Sequence, residues 1–161
     1  MLQNEFLDVI VVGAGHAGLS ISYYLKQFGL EHLVFERGRI GESWQSQRWD
    51  SFGMNTTNKI NLLPGMKIPF EDPEGFCSAL EFVSALEDYT AFHQLPVRQN
   101  CEVLRIEKAE DGRSFMVSIR TDGQIEQYRS KQVVIASGAQ NEKFTPGFAS
   151  NVDTKVFQLH S

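Results

Sequence analysis

The sequence predicts an α/β fold in which a parallel sheet is joined to a three-stranded β-meander, and three observations carry that reading. Residues 8–12 form a short, β-branched apolar run that stops at glycine and gives way at once to helical spacing. A second apolar run, Leu33-Val34-Phe35, follows that helix and completes the order and size of a βαβ unit. From Glu102 onward the pattern turns β, punctuated by Asp111-Gly112 and Asp122-Gly123 at the positions of hairpin turns.

Each element has its own justification. Beyond Ala17, the residues Leu19, Ile21, Tyr24, Leu25 and Phe28 recur at helical spacing, and Gly29 stands where a left-handed C-terminal cap is expected. Residues 37–75 hold glycines, prolines, Trp44, Trp49 and Phe52 without sustained periodicity. Such a stretch is too long for an ordinary connection, and its aromatics argue against disorder. Ser78-Ala79-Leu80-Glu81 is a capping-box pattern that opens a helix running to about His93, with Leu80, Val83, Leu86 and Thr90 on its inner face and Pro96 ending it. The meander is expected over about 102–130, as strands at Val103 with 105–108, at 115–121 and at 126–129. Residues 131–136 then read as a separate apolar strand, and the tail beyond Gln140 offers one short strand candidate around Val156.

Composition excludes several classes of function. The 161 residues carry 15 basic against 20 acidic side chains, a net charge of −5, so no basic field exists for nucleic acid or anionic lipid. No apolar run approaches the ~18 residues of a membrane span, and the first residues lack the positive region of a signal peptide, so the expected location is cytoplasmic. Cys77 and Cys101 are widely spaced and form no C-x-x-C pair. With His16, His32, His93 and His160 also off ligand spacing, no metal is expected.

The chemistry lies in Gly13-Ala14-Gly15-His16-Ala17-Gly18, which fits G-x-G-x-x-G. It follows a strand, opens a helix and precedes an acidic residue, Glu36, at the end of the second strand. Gly13 would permit the tight turn, Gly15 the approach of a pyrophosphate, and Gly18 the close packing of helix on strand. The helix N-terminus offers N–H groups and partial positive charge to a diphosphate, and Glu36 would accept hydrogen bonds from a ribose. His16 occupies a variable position of the turn. The fingerprint leaves NAD and FAD open. A plain nicotinamide-binding half continues through a crossover to a third parallel strand, whereas this chain inserts an aromatic loop, a capped helix and a meander, which favours FAD.

Further residues carry a resemblance. Gly41-Glu42-Ser43-Trp44, Arg48-Trp49-Asp50-Ser51-Phe52, Thr56-Thr57-Asn58, Leu63-Pro64-Gly65, Ala136-Ser137-Gly138 and Gln158-Leu159-His160-Ser161, with the glycine motif and Glu36, resemble the N-terminal FAD-binding part of the NADPH-dependent flavin monooxygenases. That group includes the flavin-containing monooxygenases, their plant auxin-forming relatives and bacterial oxidoreductases of the same build. The resemblance runs from Asp8 to Ser161 and implies an incomplete Rossmann-like FAD-binding domain spanning 1–161, the nicotinamide domain being absent.

The resemblance also implies roles. Gly41 and Trp44 match a Gly-Gly-x-Trp element beside the flavin, from which Glu42 departs at the second glycine. Val103 matches the position whose backbone meets the adenine, and Ala136 with Gly138 matches the Ala-Thr-Gly element. Asn58 matches an asparagine that steadies an oxygenated flavin in some members, as a side-chain amide that donates one hydrogen bond and accepts another can do. A loop asparagine satisfying a turn remains the alternative for it, as core packing does for Trp44, Trp49 and Phe52. The implied activity is NADPH-dependent oxygen transfer to a small-molecule substrate. Its NADPH site, and a C-terminal half finishing the FAD domain, would lie beyond these residues, which points to a truncated or split product that does not turn over alone. Disulfide reductases of related build need a close cysteine pair, and none occurs here. A non-catalytic nucleotide-binding remnant and an NAD-dependent dehydrogenase half are the two other readings.

Overall fold

The computed structural model describes residues 6–67, 69–138 and 144–158. Six strands form one sheet in the order β3-β2-β1-β6-β5-β4. β1 (Phe6–Val12) is central, followed by α1 (His16–Gln27) and β2 (His32–Phe35). α2 (Glu42–Ser46) and α3 (Ala79–Phe92) lead to β3 (Val97–Arg98), and β4 (Glu102–Lys108), β5 (Phe115–Thr121) and β6 (Gln124–Ile135) complete the sheet. β3, β2, β1 and β6 run parallel to their neighbours, whereas β4, β5 and β6 pair antiparallel. The fold is thus the Rossmann-like α/β arrangement with a meander on one flank.

The strand patterns follow from burial. Ile10 and Val11 of β1 are wholly inaccessible because both faces of the sheet are covered. One core contains Val9, Val11, Leu19, Val34, Phe82 and Leu86 under the helices, and the other contains Leu7, Ile10, Phe35, Val117, Ile119 and Tyr128. α1 ends as its sequence indicates, with Gly29 at φ 67°. α3 carries the full capping box, in which Ser78 Oγ accepts from Glu81 N and the Glu81 carboxylate accepts from Ser78 N.

The structure corrects four expectations. The third meander strand and the expected separate strand at 131–136 are one twelve-residue strand, β6, antiparallel to β5 from Gln124 to Ser130 and parallel to β1 from Arg129 to Ile135. No glycine or proline interrupts that segment, so the ladder simply changes partner. Second, the crossover to a third parallel strand is present. It runs through α3 to β3, whose two residues are too short for a periodic signal.

Third, Leu80 is 73% exposed, because Phe82, Val83, Leu86, Tyr89 and Thr90 form the buried face and Leu80 projects from the other side. Fourth, Val156 lies in no strand, and among the described residues the tail instead holds a 3₁₀ turn, Gly147–Asn151. The long connection is ordered, as its aromatics indicate, although its sequence shows no sustained periodicity. It contains α2 and doubles back on itself through Met54 N to Cys77 O, Asn58 N to Gly75 O and Ala79 N to Phe52 O.

Candidate functional site: an open cleft at the glycine turn

The carboxyl end of β1 enters Gly13 at φ 105°, a left-handed conformation, and a Cβ there would come within 2.5 Å of Ala136 O. At Gly18 a Cβ would stand 1.9 Å from Gly13 O, so helix and strand approach as closely as backbones allow. Gly15 differs. Its backbone is extended (φ −90°, ψ −170°), and the nearest atom to an added Cβ would be the Trp44 ring at 3.6 Å. Gly13 and Gly18 are therefore required by the protein's own backbone packing, while Gly15 faces a cleft in which an added Cβ would meet only the Trp44 ring.

That space is a cleft of about 740 Å³. Gly13, Gly15, Glu36 and Gly41 line it, and so do Trp44, Val103, Ala136 and Gly138. Gly18 lies behind the turn, consistent with a packing role. α1 starts at the cleft with Gly15 as N-cap, no side-chain cap and no acidic residue in its first turn. Its partial positive charge is therefore not neutralised from within the helix, and an anion can complete the cap.

Glu36 directly follows β2, held there by Glu36 N to Arg98 O (2.9 Å) and Cys101 N to Glu36 O (2.8 Å). Its carboxylate accepts from Ala14 N through Oε2 (2.8 Å) and from Gly38 N through Oε1 (2.9 Å). The side chain thus reaches across to the glycine turn. Trp44 packs edge-on against Phe82 (5.0 Å between ring centroids), and the His16 ring is stacked 6.3 Å from the same phenyl.

Glu42 stands in ordinary helical backbone at the start of α2, because the left-handed turn falls on Gly41 at φ 67°. Its carboxylate takes Arg39 N, Nε and Nη2. The Arg39 guanidinium holds it well below the usual carboxylate range, at about 2, with the Arg39 backbone N–H adding to the effect. The departure from glycine has therefore become an ionic strap at the rim of the cleft.

The structure does not bring Asn58 to this cleft. It is buried in the long connection, where Nδ2 donates to Asp72 O (2.8 Å) and Oδ1 accepts from Cys77 N (3.0 Å). Both ends of the amide hold backbone, which is the turn-satisfying arrangement. It borders a separate acidic hollow of about 450 Å³ with Glu71, Asp72, Glu81 and Asp88. Trp49 is 56% exposed and packs edge-on against Phe52. Of the residues resembling the last family element, Leu159, His160 and Ser161 lie outside the described residues.

Sequence reasoning missed Arg37, Cys101, Glu102 and Ile135, which also line the cleft. Arg37 had a signal, since it adjoins Glu36. Cys101 had none, because main-chain bonding to Glu36 after β3 is what brings it there. Cys77 and Cys101 are both free and buried in different cores, and burial pushes the Cys77 thiol up. A buried thiol held protonated is a poor nucleophile. Among the described residues no group of His, Cys, Asp and Glu is placed to hold a metal, and no helix is long and apolar enough to cross a membrane.

The family model for pyridine nucleotide-disulphide oxidoreductases matches residues 10–157. The chain belongs to that family. Among its relatives, an uncharacterized CzcO-like oxidoreductase of Geobacillus kaustophilus is 35% identical over 160 residues, which cover 99% of this chain and 44% of that protein. A probable indole-3-pyruvate monooxygenase, YUCCA3 of Arabidopsis thaliana, is 28% identical, covering 94% of this chain and 36% of its own length. Among solved structures, the flavin-containing monooxygenase from Stenotrophomonas maltophilia superposes with a TM-score of 0.76 at 28% identity, over 88% of this chain and 41% of that one. The chain thus spans less than half the length of the relatives it matches.

Proposed function

We propose that this chain is the FAD-binding portion of an NADPH-dependent flavoprotein oxidoreductase of the monooxygenase type. The observation that carries the reading is the cleft at Gly15: free of backbone where a side chain would project, with only the Trp44 ring at van der Waals distance, faced by an uncapped helix N-terminus on one side and by Glu36 on the other. The likeness to a flavin-containing monooxygenase supports the choice of FAD over a nicotinamide dinucleotide. So does the meander, which brings Val103 of β4 to the cleft wall.

In this reading the turn at Gly13 and Gly15 and the first turn of α1 hold the diphosphate. Glu36 accepts from the adenosine ribose, Val103 meets the adenine, and Gly41, Trp44, Ala136 and Gly138 border the rest of the dinucleotide. FAD in such a site supplies the two-electron redox chemistry that links NADPH oxidation to oxygen transfer. The protein's own part is to bind, to orient and to keep water out, and Trp44 packed on Phe82 contributes an apolar wall for that purpose. Asn58 contributes by holding the shape of the long connection.

NADPH and a small-molecule substrate are held, in this reading, by parts of the longer relatives that this chain does not match, and residues 1–161 form the N-terminal portion of one FAD domain. The acidic composition and two free cysteines support a cytoplasmic location. Titration of the purified 161-residue protein with FAD tests the proposal. Saturable quenching of flavin fluorescence, reversed by ADP, is expected. Binding of NAD without FAD would instead assign a dehydrogenase half, and binding neither would remove the reading.

A further inference from the structure

We infer that Glu36 has a second task, independent of any ribose: its carboxylate is the tie that holds the glycine turn open. The inference rests on the nucleotide reading of the cleft only for its purpose. The bonds themselves are made within the protein. Ala14 is the residue between the first two glycines of the turn, and both of its peptide groups are held by the connection that leaves β2. Its N–H donates to Glu36 Oε2 at 2.8 Å, and its carbonyl accepts from Gly41 N at 3.2 Å. The other carboxylate oxygen takes Gly38 N at 2.9 Å, so one side chain spans the two loops that form the cleft's mouth.

The rest of the β2 connection is anchored in turn, by Ile40 N to Gln99 Oε1 (2.9 Å) and Asn100 N to Gly38 O (2.9 Å). The turn itself needs such an anchor, because Gly13 and Gly15 lack the side chains that would restrict it. A carboxylate offers about four acceptor sites, and the two backbone donors leave room for ribose hydroxyls. Holding the turn and binding the sugar are therefore compatible. Glu36 acts on the diphosphate as a positioning residue, through the shape of the turn.

Amide exchange in the ligand-free 161-residue protein reads this tie directly. In the wild type, the Ala14 and Gly38 amides are expected to be protected by about a hundredfold or more relative to unstructured chain. In Glu36→Ala both are expected to lose about tenfold of that protection, while Ile10 and Val11 keep theirs. Glu36→Gln keeps a single acceptor oxygen, so one of the two amides should stay protected. Inorganic pyrophosphate, which has no ribose, provides the readout that separates positioning from sugar binding. Removing a negative charge beside an anion site would by itself tighten it, so weaker pyrophosphate binding in Glu36→Ala supports the tie.

Unprotected Ala14 and Gly38 in the wild type would overturn the proposal. So would unchanged exchange and undiminished pyrophosphate affinity in Glu36→Ala when only ADP affinity falls. Should Glu36→Ala not fold, the wild type and Glu36→Gln carry the test. Protection without any FAD or ADP binding would keep the tie and remove the nucleotide reading, so the two fail separately.

Discussion

Two side chains in this molecule do the same local job with different consequences. Glu36, at the end of β2, and Asn58, in the long connection before α3, each hold two backbone groups at once, Glu36 one near and one remote in sequence and Asn58 two remote ones. Glu36 does so at the rim of a cleft, with acceptor capacity to spare. Asn58 does so in a buried position where its amide oxygen and nitrogen are both engaged. The comparison teaches that a polar side chain satisfied by backbone can belong to a binding site or to the scaffold. What distinguishes the two here is the space each borders: Glu36 the cleft at the glycine turn, Asn58 the separate acidic hollow.

The glycines give the sharpest way to test that contrast. Replacing Gly18 with valine would force a side chain into Gly13 O, so we expect destabilisation of about 3 kcal/mol or more, seen as a lowered urea midpoint or failure to fold. Asn58→Ala leaves the N–H of Cys77 and the carbonyl of Asp72 without their partner. A loss of about 2 to 3 kcal/mol is expected in urea unfolding, with FAD affinity of the folded fraction unchanged. A fall in affinity at full stability would instead place Asn58 in the flavin site. Gly15→Ala should show the opposite split. Its extended backbone accepts alanine, so stability should hold, while FAD binding weakens about tenfold because the new methyl occupies the cleft.

The smallest effect concerns the rim. Glu42 is held at about 2 by Arg39, below its ordinary 4.5, so its contribution is present in full above pH ~4.5 and is lost as pH falls toward 2. Wild-type stability should therefore drop more steeply across that window than that of Glu42→Gln, the gap between the two being widest above pH ~4.5 and closing toward pH 2. Parallel acid-unfolding curves for the two proteins would expose a discrepancy. The pair is half-exposed on the arginine side, which keeps the effect modest.

Much of the fold could be read before any coordinates. The β1–α1–β2 unit, its left-handed cap at Gly29, the capping box at Ser78 and Glu81 and the turns of the meander all rest on signals within a few residues of one another. These are local: a glycine with positive φ, a hydroxyl three residues before a carboxylate, a period of 2 or 3.6. The misreadings fell where the deciding partner is remote. Leu80 fits helical spacing but faces away from the core, β3 exists only because β2 offers it an edge, and β6 is one strand because β1 takes over its pairing from β5.

By itself the sequence determined the β1–α1–β2 unit, the capped helix α3 and the glycine turn with Glu36 downstream of it, because turn conformation, capping and amphipathic period are set by neighbouring residues. Only the tertiary structure decided that Gly15 lines the cleft beside Trp44 while Gly13 and Gly18 meet backbone, and that Glu36 bridges two loops. It likewise decided that Asn58 stands apart from the cleft. Those outcomes depend on contacts between segments far apart in the chain, where burial and the need to pair every buried polar group select one arrangement among many that local preference allows.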